Sequence, residues 1–568
     1  LAIPDLETGD ILDYYYVTIS THIAQTGNRY VFDPVFITLP AKYPIVTGEI
    51  KILPERKCFM NISVSNGAPK PVLRKIGKKD YYVIDYRDIE RSKDTHWNYP
   101  LRDEPTIKMQ VIISGKGFPE SEKYFLGEWE TPKTSVSKDE FAKLLGIIVK
   151  QSKVNSKLET NAIKFIRQQL PITDTVQFVR DLYYYFRHRL YFEKTMYYGV
   201  EYAQYLFTDR FRFIGSFSYL LKRQHIDNTV FIGTKRYMGL IDSVVLLDEI
   251  TPGIQVVLNG QPRYIYFPRE SSVLEEGDYK MEGTKIYATL QNPGTTNVEI
   301  FPDSIPVSKR ADNIQLGLVK AEFDPDGSNT LIIETRLTSY GATKKSFGPW
   351  LINPEDYYAA EFEFIQNHKR FRQSDYSKMD RTMDEMKANK KGLNESREEI
   401  FNMYLKDNYS IPECELDTLI IEQAGRFSET NGVVFSYGFF TQGFTKKAGG
   451  YLILDVGKLM GKNIDFDVDD RKRESDIHMD APRQYDWEID VEIPEGYYVD
   501  KTENLEFDVE NNTGFFKSSA RLDSTLVHIS ISKAYKHNYE PAENWEKMLE
   551  FLDSANDFYE QKLVFKKK

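Results

Sequence analysis

The sequence has very little cysteine, with only Cys58 and Cys414 in 568 residues. Two cysteines this far apart do not indicate a redox compartment. The sequence does not decide whether Cys58 and Cys414 form a disulfide.

Histidine is also scarce, and no two of the eight histidines have the spacing of metal ligands. We predict that His188, between Arg187 and Arg189, is an exposed residue at a helix end. Residues 465–470 read D-F-D-V-D-D and alternate carboxylates as calcium loops do, but the central glycine and closing glutamate are missing. We favour a solvated acidic loop there, and we expect no metal and no cofactor.

Positive charge is in deficit, because 74 lysine and arginine residues face 85 aspartate and glutamate residues, for a net charge of −11. Nucleic-acid binding needs a cationic face, so this composition argues against a nucleic-acid partner. Long hydrophobic runs are missing as well, and no stretch approaches the length of a membrane-spanning helix. We therefore predict a chain without a transmembrane segment.

The most informative stretch covers residues 173–268. It opens with apolar residues every three or four positions, which predicts an amphipathic helix capped by Thr173 or Asp174. A second helical pattern runs through L-L-K-R-Q-H-I and ends at Ile226. Short apolar runs follow, T-V-F-I, S-V-V-L-L, I-Q-V-V-L and Y-I-Y-F, punctuated by glycine and proline, and we predict four strands. This order is typical of a papain-like α+β core.

In its order of elements the chain resembles Gram-negative envelope proteins in which a β-sandwich domain of unknown function precedes a transglutaminase-like core. The residues that carry the resemblance are P-D-L-E-T-G-D-I near the start, L-L-K-R-Q-H-I in the core and I-P-E-G-Y with the final helix. The P-D-L segment falls midway through the family's β-sandwich, so the resemblance implies that this sequence begins inside that domain. It also implies an extracytoplasmic location, in the periplasm or associated with the outer membrane.

The resemblance places the family's catalytic triad at positions that have lost it. Arg210 stands where the nucleophilic cysteine is expected, Pro252 where the histidine is expected, and Phe267 where the aspartate is expected. Thiol acyl transfer needs a thiolate, a base and a group that orients the base. Arginine stays protonated, and proline and phenylalanine carry no titratable group. We predict no catalytic residues, and we predict that these three positions lie near one another.

The pattern of β runs, helical stretches and turns divides the chain into three parts. Residues 1–132 alternate short β runs with turns, which predicts an antiparallel β-sandwich. The resemblance implies that residues 133–290 form the transglutaminase-like core. Residues 291–568 are predicted to be a β-rich carboxy-terminal region with helices near 357–408. The fold class that we expect is a multidomain α+β protein, and 41% hydrophobic residues suffice for its cores.

Two functions remain open at this point. The first is a non-catalytic envelope protein that acts as a binding or scaffold subunit for a protein, peptide or glycan partner. The second is an active cysteine transglutaminase-like or peptidase-like enzyme with a displaced nucleophile, which would require Cys58 or Cys414 to fold into the core. We favour the first, because three substitutions must be explained away to keep the enzyme.

Overall fold

A computed structural model gives the fold of the chain. It describes residues 9, 11–13, 15, 17–19, 29–39, 43–54, 58–92, 96–114, 123–127, 131–150, 174–188, 190, 210–291, 298–325, 329–348, 350–352, 356–357, 394–428, 430–468 and 470–568. The cap candidate Thr173 lies outside these residues, as does most of the predicted helical stretch at 357–408.

The amino-terminal part contains two antiparallel sheets. Its strands are β1 (Arg29–Val31), β2 (Val35–Thr38), β3 (Ile45–Ile52), β4 (Cys58–Ser65), β5 (Val72–Ile76), β6 (Lys79–Ile89) and β7 (Thr106–Ser114), and a short helix, α1 (Pro100–Asp103), precedes β7. Strand β7 pairs with β1, β2 and β4, whereas β6 pairs with β3 and β5. A small buried core lies here and comprises Leu39 after β2, Ala68 between β4 and β5, Ile84 of β6 and Ile107 of β7.

The central part packs helices against a five-stranded antiparallel sheet. The helices are α2 (Lys138–Lys150), α3 (Thr175–Arg187) and α4 (Arg210–Arg223), and the strands are β8 (Asn228–Thr234), β9 (Ile250–Leu258), β10 (Gln261–Ile265), β11 (Lys285–Leu290) and β12 (Phe301–Ser304). The strand order is β10-β9-β8-β11-β12. Helix α3 confirms the predicted amphipathic helix, and its cap is Asp174, whose carboxylate accepts a hydrogen bond from the Gln177 N–H.

One predicted strand of this part is wrong. The run S-V-V-L-L at residues 243–247 lies between two short 3-10 turns, Ile241–Ser243 and Leu247–Glu249. Its apolar side chains are buried all the same, with Val244, Val245 and Leu246 at most 1% exposed. A short apolar run signals burial, and it does not by itself distinguish a strand from a buried turn.

The carboxy-terminal part is built on an eight-stranded sheet. Its strands are β13 (Ile314–Phe323), β14 (Leu331–Ser339), β15 (Glu415–Ala424), β16 (Val433–Thr441), β20 (Arg483–Glu492), β22 (Phe507–Glu510), β23 (Gly514–Leu522) and β24 (Leu526–Tyr535). Their order is β15-β16-β14-β13-β20-β24-β23-β22, and among the described strands of this sheet only β13 and β20 are parallel neighbours. One face of this sheet carries the largest hydrophobic core that the described residues form.

Smaller elements cover that face. A four-stranded antiparallel sheet comprises β17 (Thr445–Ala448), β18 (Tyr451–Leu454), β26 (Leu563–Lys567) and β21 (Tyr497–Val499), and a two-stranded ladder joins β19 (Ile477–His478) to β25 (Tyr539–Glu540). Residues 394–409 are helical, and helix α5 (Trp545–Tyr559) lies against β22 and β23. The hydrophobic stripe of α5, which includes Met548, Phe551 and Leu552, is buried in the same core.

The protein is therefore a mixed α+β chain with several antiparallel sheets and few helices, as the sequence predicted at that level. The finer assignment of a transglutaminase-like core, and the boundaries at 132 and 290, stay predictions. In the part of the chain that the structure describes, no helix is both long enough and apolar enough to cross a membrane.

Candidate functional site

Arg210 begins helix α4 and reaches the loop that leads into β9. Its Nη2 atom donates to the carbonyl oxygen of Leu247 at 2.9 Å and to that of Asp248 at 3.3 Å. The guanidinium also lies over the ring of Phe211, with 5.2 Å to the ring centroid. The side chain at the predicted nucleophile position thus ties the start of a helix to a loop backbone.

The amino-terminal β4–β7 sheet holds the other side of the same loop. Lys108 donates from Nζ to Glu249 Oε1 at 2.6 Å, and the side chains of both residues are at most 2% exposed. Gln110 Nε2 donates to Asp248 Oδ2 at 3.1 Å, and Asn61 Nδ2 donates to the Val245 carbonyl at 3.0 Å. The loop at 245–249 is therefore a junction between the amino-terminal sheets and the central part.

Glu249 is the centre of this junction. Besides the Lys108 ammonium, its carboxylate accepts hydrogen bonds from the backbone N–H groups of Val245 and Leu246, each at 3.0 Å. A carboxylate this deeply buried is stable only when its oxygens are satisfied in this way. Its partners also fix the turn of the loop that Arg210 contacts.

Pro252 is a buried residue of β9, at a position where this strand pairs with β8. It stands opposite Ile232 of β8, while its neighbours Thr251 and Gly253 stand opposite Gly233 and Phe231. A Cβ atom at Gly253 would come within 2.2 Å of the Phe231 ring, so that ring occupies the space over the strand. The predicted histidine position is therefore packed among apolar groups, and Pro252 has no side chain that could accept or donate a proton.

Phe267 follows β10 and packs against helix α4. Its ring meets the ring of Phe213 edge to face, with 5.3 Å between centroids, and Phe213 lies about one turn after Arg210. Helix α4 thus contacts both the loop that enters β9 and the segment of Phe267. The side chains at the three predicted triad positions provide no thiol, imidazole or carboxylate.

The two cysteines lie elsewhere and are free thiols. Cys58 begins strand β4 of the amino-terminal sheet, opposite Ile113, and Cys414 precedes β15 in the carboxy-terminal sheet. Burial raises the pKa of the Cys414 thiol, which disfavours the thiolate that a nucleophile needs. In the described chain, neither cysteine is part of the five-stranded sheet or of helices α2–α4.

His188 is not the exposed residue that its arginine neighbours predicted. It is 2% exposed and caps the end of α3, where its backbone N–H donates to the carbonyls of Tyr184 and Tyr185. The flanking Arg187 is fully buried too, and it donates to the Ser272 carbonyl and to that of Arg426 in the carboxy-terminal part. The end of α3 is therefore an interior junction, and its charges serve contacts between parts of the chain.

A cationic group lies around Lys235, on the segment that follows β8. Burial lowers the pKa of Lys235, and Arg269, Lys280 and Arg210 lower it further, whereas Asp278 raises it. We call Arg210, Lys235, Arg269 and Lys280 the cationic group. Sequence analysis missed it because these residues are spread along the chain and only the fold collects them. Within the described residues, no group of three or more histidine, cysteine, aspartate or glutamate residues could hold a metal ion.

Comparisons with known proteins add little to this geometry. No family model matches the chain, and no curated protein matches it either. Among solved structures, it is similar to the crystal structure of a "putative protease" from Parabacteroides distasonis ATCC 8503, with a TM-score of 0.41 and 9% sequence identity. That likeness covers 95% of this chain and 76% of the other. A likeness this weak does not assign the chain to a family.

Proposed function

We propose that this protein is a non-catalytic binding or scaffold subunit of the cell envelope, with a degenerate transglutaminase-like core. The observation that supports the proposal best is the position of Arg210. Its guanidinium holds the start of α4 to the loop at 245–249, and the amino-terminal sheet holds the same loop through Glu249. In this proposal the residue at the predicted nucleophile position has a structural role, because it connects helix α4 to the loop at 245–249.

The chemistry of the surrounding residues agrees with this role. Acyl transfer through a thiol requires a thiolate with a histidine in reach, and the residues around Arg210 instead offer backbone carbonyls and aromatic rings. Arginine keeps its proton at any physiological pH, so it donates hydrogen bonds and does not attack a carbonyl. An oxyanion-stabilising cation alone gives weak catalysis.

The cationic group suggests what kind of partner the core would take. Arg269 is exposed, Lys235 and Lys280 are partly exposed, and the Asp278 carboxylate also acts electrostatically on Lys235. A surface with this excess of positive charge favours acidic groups, such as the carboxylates of a peptide or of an acidic glycan. The envelope location comes from the family resemblance, and fractionation of the native cell tests it directly.

The first experiment tests the absence of thiol catalysis. Acyl transfer and peptide hydrolysis are measured for the wild type and for the Cys58→Ala/Cys414→Ala variant, using a glutamine-containing peptide with hydroxylamine as acceptor. We expect both proteins to give the rate of the protein-free control. Turnover that disappears on removal of either cysteine would overturn the proposal in favour of the cysteine enzyme.

The second experiment tests binding through the cationic group. The wild type, the charge-reversed variant Arg269→Glu/Lys280→Glu and a matched control, Lys446→Glu/Lys447→Glu on exposed strand β17, are used to capture partners from the envelope fraction. We expect the wild type and the control to retain the same acidic partner and the first variant to lose it. Equal capture by all three proteins, or capture of nothing by the wild type, would contradict the proposal.

A further inference from the structure

The carboxy-terminal part encloses a cavity of about 310 Å³ that is separate from the core described above. It lies between one face of the eight-stranded sheet and a cover formed by helical residues 404–409 and the segment 459–464. Its floor comes from alternate residues of β20 and β24, because alternate side chains of a strand face the same side. This volume suits a small organic molecule.

Two cations stand on that floor. Lys533 is 6% exposed and lies directly opposite Tyr485 in the β20–β24 ladder, and Arg483 lies opposite Tyr535 in the next position of the same face. The Arg483 guanidinium stacks on the Tyr535 ring at 4.2 Å from the centroid. Lys533 Nζ donates to Asn463 Oδ1 at 2.7 Å. The side chains of two cations thus line the same cavity.

No carboxylate compensates them within it. The residues that line the cavity include neither aspartate nor glutamate, and in the described chain neither cation forms an ion pair. The carboxylate that acts on Arg483 electrostatically is Asp480, whose Oδ2 atom is already 2.6 Å from Lys345 Nζ. Lys533 is buried and Arg483 is half-buried. Cations with restricted access to water and no ion-pair partner are costly to a fold, and a ligand that supplies the counter-charge offsets that cost.

A further donor points to the same chemistry. The Nδ2 atom of Asn463 is buried and has no hydrogen-bond partner among the described residues, while the Oδ1 atom of this amide holds Lys533. Buried donors are normally satisfied, so an unsatisfied amide beside two cations favours an acceptor with several lone pairs. A carboxylate has two such oxygens and can accept from all three groups.

The walls indicate the rest of the ligand. Trp487 and Tyr485 stack with 6.0 Å between ring centroids, and the rings of Phe347 and Tyr404 also line the cavity. Gly317 makes room for this arrangement, because a Cβ atom there would lie 2.8 Å from the Trp487 ring. Flat aromatic walls bind a planar or apolar body well.

We propose that this cavity is a binding site for a small organic carboxylate, whose carboxyl group contacts Lys533, Arg483 and Asn463 and whose apolar body packs between the aromatic walls. The site does not depend on the proposed function of the core, and it would stand if the core were an enzyme. The sequence alone did not predict this cavity, because the residues that line it come from segments far apart in the chain.

The test uses the full chain with benzoate as the probe, benzyl alcohol as a neutral probe of the same shape and inorganic phosphate as an anion without an apolar body. Binding is measured by calorimetric titration and by the shift in melting temperature. We expect benzoate to bind and the other two probes to bind at least about tenfold more weakly, because only benzoate satisfies both the cations and the walls.

Variants test whether benzoate binds in this cavity. Lys533→Met keeps the length of the side chain and should weaken benzoate at least about tenfold by removing a charge-assisted hydrogen bond. Lys517→Met, at a position on neighbouring β23 that does not line the cavity, should leave benzoate binding unchanged. Trp487→Leu keeps both cations and should weaken benzoate while leaving phosphate unaffected, so the proposal stays testable if Lys533→Met does not fold.

The pH dependence provides a separate check. Burial lowers the pKa of Lys533 to about 8, with Tyr485 opposing that effect and Arg483 adding to it. Benzoate affinity should therefore fall as pH rises through about 8 in the wild type, and it should lose that dependence in Lys533→Met. Equal benzoate binding by the wild type and Lys533→Met, equal binding of benzyl alcohol, binding of phosphate alone, or no binding of any probe would each overturn the proposal.

Discussion

At the scale of single residues, the buried pair of Lys108 and Glu249 shows how one contact can hold two parts of the chain together. Lys108→Met would leave the Glu249 carboxylate buried with only backbone donors. We expect a loss of about 3–5 kcal/mol in the free energy of unfolding, because removing one partner strands the other charge. Urea denaturation measures this loss.

The matched control is the exposed pair of Lys222 and Asp227, whose side chains are 40% and 90% exposed. Lys222→Met should cost no more than about 1 kcal/mol, since water screens such a pair. Similar midpoints for Lys108→Met and Lys222→Met would contradict the junction role of Lys108.

Glu282 is a residue whose ionisation should destabilise the protein. Burial raises the pKa of Glu282 to about 7 from its ordinary value of 4.5, against the opposing hydrogen bonds from Ser308. The folded chain therefore holds this proton between these two values, where the unfolded chain has lost it. Stability should fall as pH rises across that window, by roughly 3 kcal/mol in total for this group.

The variant Glu282→Gln removes the titration and keeps an acceptor for Ser308. We expect its melting temperature to exceed that of the wild type increasingly as pH rises from 5 to 8, roughly the window set by the two pKa values. Glu495→Gln, on an exposed turn, serves as the control. A constant difference between Glu282→Gln and the wild type at all these pH values would show that the Glu282 carboxyl is not buried as described.

At the scale of secondary-structure elements, the pairing of β8 with β9 depends on a glycine. The Phe231 ring covers Gly253, and an added Cβ atom would lie 2.2 Å from that ring. Phe231 is fully buried and has little space to move, so Gly253→Ala should cost about 1–3 kcal/mol by overpacking. Thermal denaturation followed by circular dichroism checks this value.

Two further variants test the cause. Gly450→Ala, at a glycine with nothing within 4 Å of the added atom, should change stability little. Phe231→Leu combined with Gly253→Ala should recover part of the loss relative to the sum of the single variants, because the two positions are in contact. Strict additivity of the two substitutions would argue against the steric explanation.

The secondary-structure elements also show which structural features a sequence pattern predicts and which it does not. Period and capping predicted α3 correctly, because the apolar stripe and the Asp174 cap act within a few residues of each other. The run at 243–247 was predicted as a strand and is a buried turn, because its burial comes from packing against distant segments and not from a sheet partner. Burial was predictable there, and backbone conformation was not.

At the scale of the whole molecule, Arg236 joins the central and carboxy-terminal parts. Its guanidinium donates to the carbonyls of Asn538 at 3.1 Å and Asp480 at 2.7 Å, and also to that of Met479. Arg236→Met should leave three carbonyl oxygens without this donor, and two of these hydrogen bonds, to Asn538 and Met479, are buried. Since those contacts connect the two parts, we expect one unfolding transition to separate into two, and calorimetry detects the separation.

Lys285→Met is the control for Arg236→Met, because Lys285 forms an exposed ion pair with Asp242 within the central part. It should keep the wild-type profile. An unchanged single transition in Arg236→Met, with the same midpoint as the control, would mean that other contacts alone couple the two parts.

By itself, the sequence determined the features that local chemistry controls. Alternation and helical periodicity predicted a chain of mixed helices and antiparallel strands, and the residues at positions 210, 252 and 267 are arginine, proline and phenylalanine whatever the fold. The family likeness behind those three positions, and the function proposed from it, stay predictions that the experiments above test.

Only the tertiary structure decided which distant residues meet. His188 looked exposed beside two arginines, yet it is buried, because the end of α3 packs against the carboxy-terminal part. The cavity of Lys533 and Arg483 likewise exists because β20 and β24 pair in one register and a remote helix covers them. Local periodicity reports which side chains are apolar, whereas burial of a charge depends on contacts between segments far apart in sequence, and strand pairing sets those contacts.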